Sequence, residues 1–304
     1  MEKIQLTKIK LAIVFLFGLG ISYLGWQVIQ PSVEHEPLTI LSHSQPVMVI
    51  LIALVLVITS GIFGQFFGTI EELSIGIFAV PAVFCFWIFQ SGGSNQLLQG
   101  LPEIGQRTEM FYRFIPEVLI WTAILYAGFA VVQLIQRRKK TVAPLKSTPE
   151  SKKKVALWET PLFTAAAVVV VCSIVSVILL KIFMQSGAAW TQGALRYAVS
   201  YAPEKGQVLF AIYISFFLAT FGVKYLYQVP IGYFLAVPAI VAVFTYLYIA
   251  QKHLPQELLD RAPEMILPAM RFGMILPIEF LVVGWLAVII GFWSQMPINT
   301  QESW

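Results

Sequence analysis

Eight long, continuous apolar runs leave this chain little choice of solvent. They cover residues 11–29, 47–67, 73–89, 114–135, 161–180, 208–223, 229–250 and 272–293. Most reach the roughly 20 residues that a helix needs to cross a ~30 Å hydrocarbon core. The third and sixth are shorter, at 17 and 16 residues, and each joins a hairpin with a tight turn. Re-entry is open to those two, but apolar residues in the neighbouring loops favour spanning. The runs do not alternate as barrel strands would, so the expected elements are helices. Composition agrees: 58% of residues are hydrophobic, 12% are charged, and mean hydropathy is +0.78. A soluble fold has too little interior to hide so much apolar surface. That excludes a soluble enzyme, a disordered chain, a disulfide-stapled domain and a nucleic-acid binder.

The net charge of +4 is concentrated in one place. Residues 136–160 hold Arg137, Arg138, Lys139, Lys140, Lys146, Lys152, Lys153 and Lys154 against Glu150 and Glu159. Such a stretch would suit nucleic acid or anionic lipid, but the favoured reading is a cytoplasmic loop under the positive-inside rule. The segment MEKIQLTKIK precedes the first run without a signal-peptide cleavage site, so a retained first helix is expected, with Lys3, Lys8 and Lys10 inside. Eight crossings then place both termini in the cytoplasm of a cell-membrane protein. On that topology twelve Lys or Arg lie inside and eight outside. Trp26, Trp87, Trp158 and Trp293 fall near run ends and read as an interfacial belt. Cys85 and Cys172 lie in apolar runs and read as small hydrophobes.

The two halves repeat. Each runs helix, long outer loop, helix, short inner turn (residues 68–72 and 224–228), helix, long outer loop, helix. Ser74-Ile-Gly-Ile-Phe-Ala-Val-Pro-Ala82 resembles Pro230-Ile-Gly-Tyr-Phe-Leu-Ala-Val-Pro-Ala239, Phe63-Gly64 matches Phe221-Gly222, and Arg113-Phe114 matches Arg271-Phe272. The offsets lie between 156 and 158 residues, which favours tandem duplication over convergent helix composition. An even number of helices per repeat makes the halves parallel. The expected fold is therefore all-α and polytopic: a four-helix repeat over 1–135, a basic linker over 136–160 and a second repeat over 161–304.

Catalytic and metal chemistry find few residues to work with. His35, His43 and His253 all fall in outer loops, and Asp260 is the single aspartate. A bis-histidine haem, an H-E-x-x-H zinc site, a buried Ser-His dyad and an aspartate pair cannot be assembled inside the bundle. The segment Glu34-His35-Glu36-Pro37 with His43 or His253 would suit a zinc-like ion only if the loops converge. The expectation is no cofactor, no metal and no enzyme.

Polar groups inside a membrane are costly, so those present are candidates for function. Glu117 follows Arg113 by one helical turn and Pro116 directly; Glu279 follows Arg271 by two turns, after Pro277. The Arg113–Glu117 spacing allows an i,i+4 pair, and the two carboxylates suit a solute or proton path. The competing reading is interfacial arginines with structural ion pairs. Gly76 with Pro81, and Gly232 with Pro230 and Pro238, interrupt the third helix of each half, where freed carbonyls can line a cavity. The competing reading is a packing kink. Gly64-x-x-x-Gly68 offers a weak helix-packing motif, and Glu71, Glu72 and Lys224 at the inner turns read as solvated.

Two function classes are left. A transporter or permease for a small solute or ion uses the repeats, the broken helices and the glutamates. A non-catalytic membrane subunit or scaffold needs no pathway and would dock a membrane-protein partner or a second copy. The basic linker, or the outer loop 181–207 with Trp190, Leu195, Tyr197 and Tyr201, would serve as its docking surface. The discriminating feature is whether Glu117 and Glu279 face the bundle interior.

Overall fold

The computed structural model describes residues 2–31, 37–70, 73–93, 103–141, 161–184, 188–190, 198–201, 203–227, 229–251, 265–266, 272–273 and 275–294. Its helices are α1 (Glu2–Ile29), α2 (Pro46–Gln65), α3 (Ile75–Ala82), α4 (Cys85–Gln90), α5 (Ile104–Thr141), α6 (Pro161–Phe183), α7 (Lys205–Leu226), α8 (Ile231–Phe234), α9 (Val237–Ala250) and α10 (Pro277–Ser294). Among the described residues seven helices are long and apolar enough to cross a membrane, with α8 and α9 counted together. The segment Ile75–Gln90 is apolar but shorter. At 1.5 Å per residue it rises about 24 Å, less than a typical hydrocarbon core. Of the two short runs, the sixth lengthens into the 22-residue α7, while the third gives its first residues to a turn and stays short.

That turn is a small hairpin, β1 (Thr69–Ile70) against β2 (Leu73–Ser74), antiparallel with Thr69 opposite Ser74. Gly68 enters it at φ +88, a left-handed conformation that glycine adopts without steric cost. Ser74 then caps α3, its hydroxyl accepting from the Gly76 N–H at 3.0 Å. At the opposite end of the bundle, β3 (Ala188–Trp190), β4 (Ala198–Tyr201) and β5 (Met265–Ile266) form an antiparallel three-stranded sheet in the order β3-β4-β5. The loop 181–207 therefore contributes strands at Trp190 and Tyr201; Leu195 and Tyr197 lie outside the described residues.

The helices run alternately up and down. α1 ends where α2 begins, and this end, also that of Ser91 and the start of α7, is called distal; the end where α1 starts and α10 finishes is proximal. Within each half the second helix packs on the first and the last packs on the second: α1 with α2 and α2 with α5, then α6 with α7 and α7 with α10. Between halves, α5 packs on α9, α10 packs on α3, and α5 meets α10. The core between them is aromatic, with Phe84, Trp87, Trp121, Phe216, Tyr246, Phe280 and Trp285 all buried. Large apolar side chains such as Leu16, Leu24, Val55, Phe163 and Ile178 are exposed on the outer faces, as lipid-facing residues are.

Several expectations change. Trp87 is fully buried and its indole N–H donates to the Ser22 carbonyl at 2.8 Å, so it belongs to the core and not to an interfacial belt. Trp26 is buried too, Trp293 is partly buried, and Trp158 lies outside the described residues. Lys224 is not simply solvated. Its ammonium caps the last helix by donating to the Phe292 carbonyl at 2.6 Å, and it stands 3.5 Å from the centre of the Phe292 ring. The helix α5 continues past residue 135 to Thr141 and takes in Arg137, Arg138, Lys139 and Lys140. Cys85 and Cys172 are buried free thiols.

The third helix of each half is interrupted, though not at equivalent points. In the first half the break at Val83–Phe84 follows Pro81, which lies inside α3. In the second the break at Leu235–Ala236 precedes Pro238, which opens α9 where no N–H is needed. Applying the 157-residue offset of the prolines, the two breaks fall more than one helical turn apart.

Candidate functional site

Two carboxylates, one ammonium and one phenol gather in the distal half of the bundle. Glu117 on α5 and Glu279 on α10 are each 1% exposed. Both therefore face the interior. The Glu117 Oε1 accepts from the backbone N–H of Ile40 at 3.0 Å and from the Trp121 indole at 3.4 Å. Ile40 comes from the loop between α1 and α2, where Leu38, Thr39 and Ile40 are buried. The carboxylate thus holds a loop in place, and burial makes that acceptor necessary, because an unpaired N–H in this setting is costly.

Glu279 does a different local job. It is the third helical residue of α10, after Pro277, and its Oε2 accepts from the Leu276 N–H at 3.0 Å. A carboxylate reaching back to the residue that precedes the helix is half of a capping box, and proline suits the first helical position. Tyr246 on α9 donates its hydroxyl to the carbonyl of Ile275, so it fixes the same turn from the other side. Its ring lies between Phe114 and Phe280, with centroids 5.2 and 6.3 Å away, and it is within electrostatic reach of both glutamates.

The partner of Glu279 is Lys205, the first residue of α7. Its ammonium is 3.6 Å from Glu279 Oε1, and it donates to the carbonyls of Ile88 and Ser91 at the end of α4 and, at 3.4 Å, to the Ser91 hydroxyl. One lysine therefore ties the second half to the first. The Lys205 side chain is 26% exposed, at the distal rim of an otherwise closed cluster.

Of the arginines predicted beside the glutamates, Arg113 does not join it. Arg113 pairs with Glu109, one turn toward the helix start, at 2.7 Å, and its side chain is 59% exposed. It cannot tune Glu117 as the i,i+4 spacing suggested, because the carboxylate points inward while the guanidinium points out. Arg271 lies outside the described residues. Arg107, which the sequence reading did not single out, is buried near the start of α5.

Among the interrupting residues, Gly76 meets α2. A Cβ there would stand 2.7 Å from the Gly61 carbonyl oxygen, so close helix packing accounts for the glycine. The carbonyl of Gly232 accepts from the Tyr126 hydroxyl at 3.0 Å, joining the two halves again. Pro81 and Pro238 are buried, and Pro238 packs against Gly284 on α10. Of the suggested loop metal site, His43 is described: its Nε2–H donates to the Ile29 carbonyl at 2.9 Å while Nδ1 accepts from the Gln45 N–H. Both nitrogens serve the loop. Glu34, His35, Glu36 and His253 lie outside the described residues, and no group of three or more metal-ligating side chains converges among the described ones.

Compared with family models, with curated proteins and with solved structures, the chain matches none.

Proposed function

We propose that this integral membrane protein is a transporter or permease for a small solute or ion. The observation that carries the reading is that Glu117 and Glu279 both point into the bundle, around Tyr246, while the exposed faces of the long helices are apolar. A carboxylate kept inside a membrane protein is expensive, which makes it a candidate for a solute or ion path by default. The proposed path enters at the distal rim beside Lys205 and passes Glu279 and Glu117. The segment α3–α4 serves as an eighth, kinked crossing.

The same reading treats the chain as two parallel four-helix halves related by an axis along the membrane normal. What supports it is the exchange of packing partners: α5 on α9 is answered by α10 on α3, and α5 meets its own counterpart α10. The protein is proposed to sit in the cell membrane with both termini and the basic linker in the cytoplasm. A cysteine placed at Lys146 will resist an impermeant maleimide in intact cells and react after lysis. Labelling from outside would reverse the orientation.

The functional test is flux. In proteoliposomes, Glu279→Gln and Glu117→Gln will fold as the wild type does and lower flux of the transported species about tenfold or more, the size expected when one polar contact on a pathway is lost. The second reading, a non-catalytic membrane subunit, draws on the hydrogen bonds by which each glutamate holds a turn. Unchanged flux in both folded variants, or a stoichiometric partner with no flux of any solute, would favour it.

A further inference from the structure

We infer that the oxygens around the Lys205 ammonium form a monovalent-cation site that the protein fills with its own side chain. The Ile88 and Ser91 carbonyls, the Ser91 hydroxyl and Glu279 Oε1 come from two different helices of opposite halves and converge on one point. The carbonyls belong to the last turn of α4 and its cap, where the helix dipole is negative. Helix C-terminal carbonyls that lack a next turn are ready acceptors for a cation.

Glu279 Oε1 makes the case independent of the carbonyls. It is fully buried and has no hydrogen-bond donor, since Oε2 takes the Leu276 N–H and Lys205 stands at ion-pair distance only. A carboxylate oxygen left this way is aimed at a charge. Lys205 gains nothing from its own helix, because it sits at the first turn of α7, where the helix dipole disfavours a cation. What holds it is the cluster opposite.

One carboxylate and three neutral oxygens match a single positive charge. A divalent ion gathers more oxygens and usually more than one carboxylate. Sodium and ammonium fit the donor set, and ammonium reproduces the hydrogen bonds that the lysine makes. The lysine is a flexible four-carbon tether with its stem at the rim, so it can leave without moving the backbone. A cation arriving from the distal side therefore competes with Lys205 for the same oxygens. This names the class of ion for the proposed path and rests on that reading for its role, though not for its existence.

The test is equilibrium binding on the purified full chain, not flux. Lys205→Ala will melt higher in sodium or ammonium chloride than in choline chloride at equal ionic strength, by on the order of 3 °C at saturating salt. Wild type will show a smaller difference, because its lysine competes. Lys205→Ala combined with Glu279→Gln will show none. If Lys205→Ala and Lys205→Met both fold and melt alike in all salts, the site does not exist. Should neither variant fold, acylation of Lys205 in the wild-type protein, followed by mass spectrometry, decides. Labelling several-fold faster in sodium than in choline supports displacement of the lysine, and equal rates overturn it. Ion-dependent melting without flux would leave the site standing and end the transport reading, and flux without ion dependence would do the reverse.

Discussion

Gly64→Ala will leave little folded protein, while Gly222→Ala, at the matching position of the second half, will behave as wild type. A Cβ on Gly64 would lie 2.6 Å from the Gly76 Cα and 2.9 Å from the Gly76 nitrogen. Both are backbone atoms of α3, so no rotamer change relieves the clash. Here α2 and α3 touch through two glycines, and the helices must separate to admit one methyl group. Overpacking costs about 1–3 kcal/mol where side chains can shift, and a backbone obstacle puts this substitution at or above the upper end. Nothing lies within 4 Å of a Cβ on Gly222. Thermal unfolding in detergent, followed by size-exclusion fluorescence, compares the two directly. A Gly64→Ala protein that melts within a degree of wild type would show that α2 and α3 are not locked at this contact.

That asymmetry bears on what could be read beforehand. Phe63-Gly64 and Phe221-Gly222 match in sequence, and nothing local tells a glycine that touches backbone from one that faces open space; the difference arises from where the neighbouring helix lands. The long helices were legible because a continuous apolar run of membrane length has one stable solution. Glu117 and Glu279 were legible as charges inside such runs. Their partners were not. Lys205 stands at the edge of an apolar run, where lysines commonly reach the interface, and its ligands lie 114 and 117 residues away in sequence. Arg113 has a glutamate one turn away on each side, so spacing alone could not choose between Glu109 and Glu117. The fold chose, because the Glu117 carboxylate is taken by Ile40 and Trp121. Trp87 looked interfacial because it is near a run end, but that run is the short one drawn inside the bundle.

Replacing Glu117 by Leu will destabilise the protein by about 2–4 kcal/mol, and replacing it by Gln by less than about 1 kcal/mol. The difference comes from what each side chain leaves behind. Leucine removes the acceptor and strands two buried donors, the Ile40 N–H and the Trp121 indole, each costing about 1–3 kcal/mol when unpaired. Glutamine keeps an oxygen in the same place and can hold the Ile40 N–H, so the loop over Leu38–Ile40 stays attached. Within a membrane bundle such losses tend toward the lower end, because the unfolded helices also find partners. Release of this loop should appear before global unfolding, as faster hydrogen exchange at Ile40 in Glu117→Leu and protection close to wild type in Glu117→Gln. Equal melting temperatures for Leu, Gln and wild type would mean that the carboxylate does not hold the loop. The Gln variant then separates pinning from transport: it keeps the pin and removes the charge, so loss of flux in a folded Glu117→Gln protein is assigned to the charge alone.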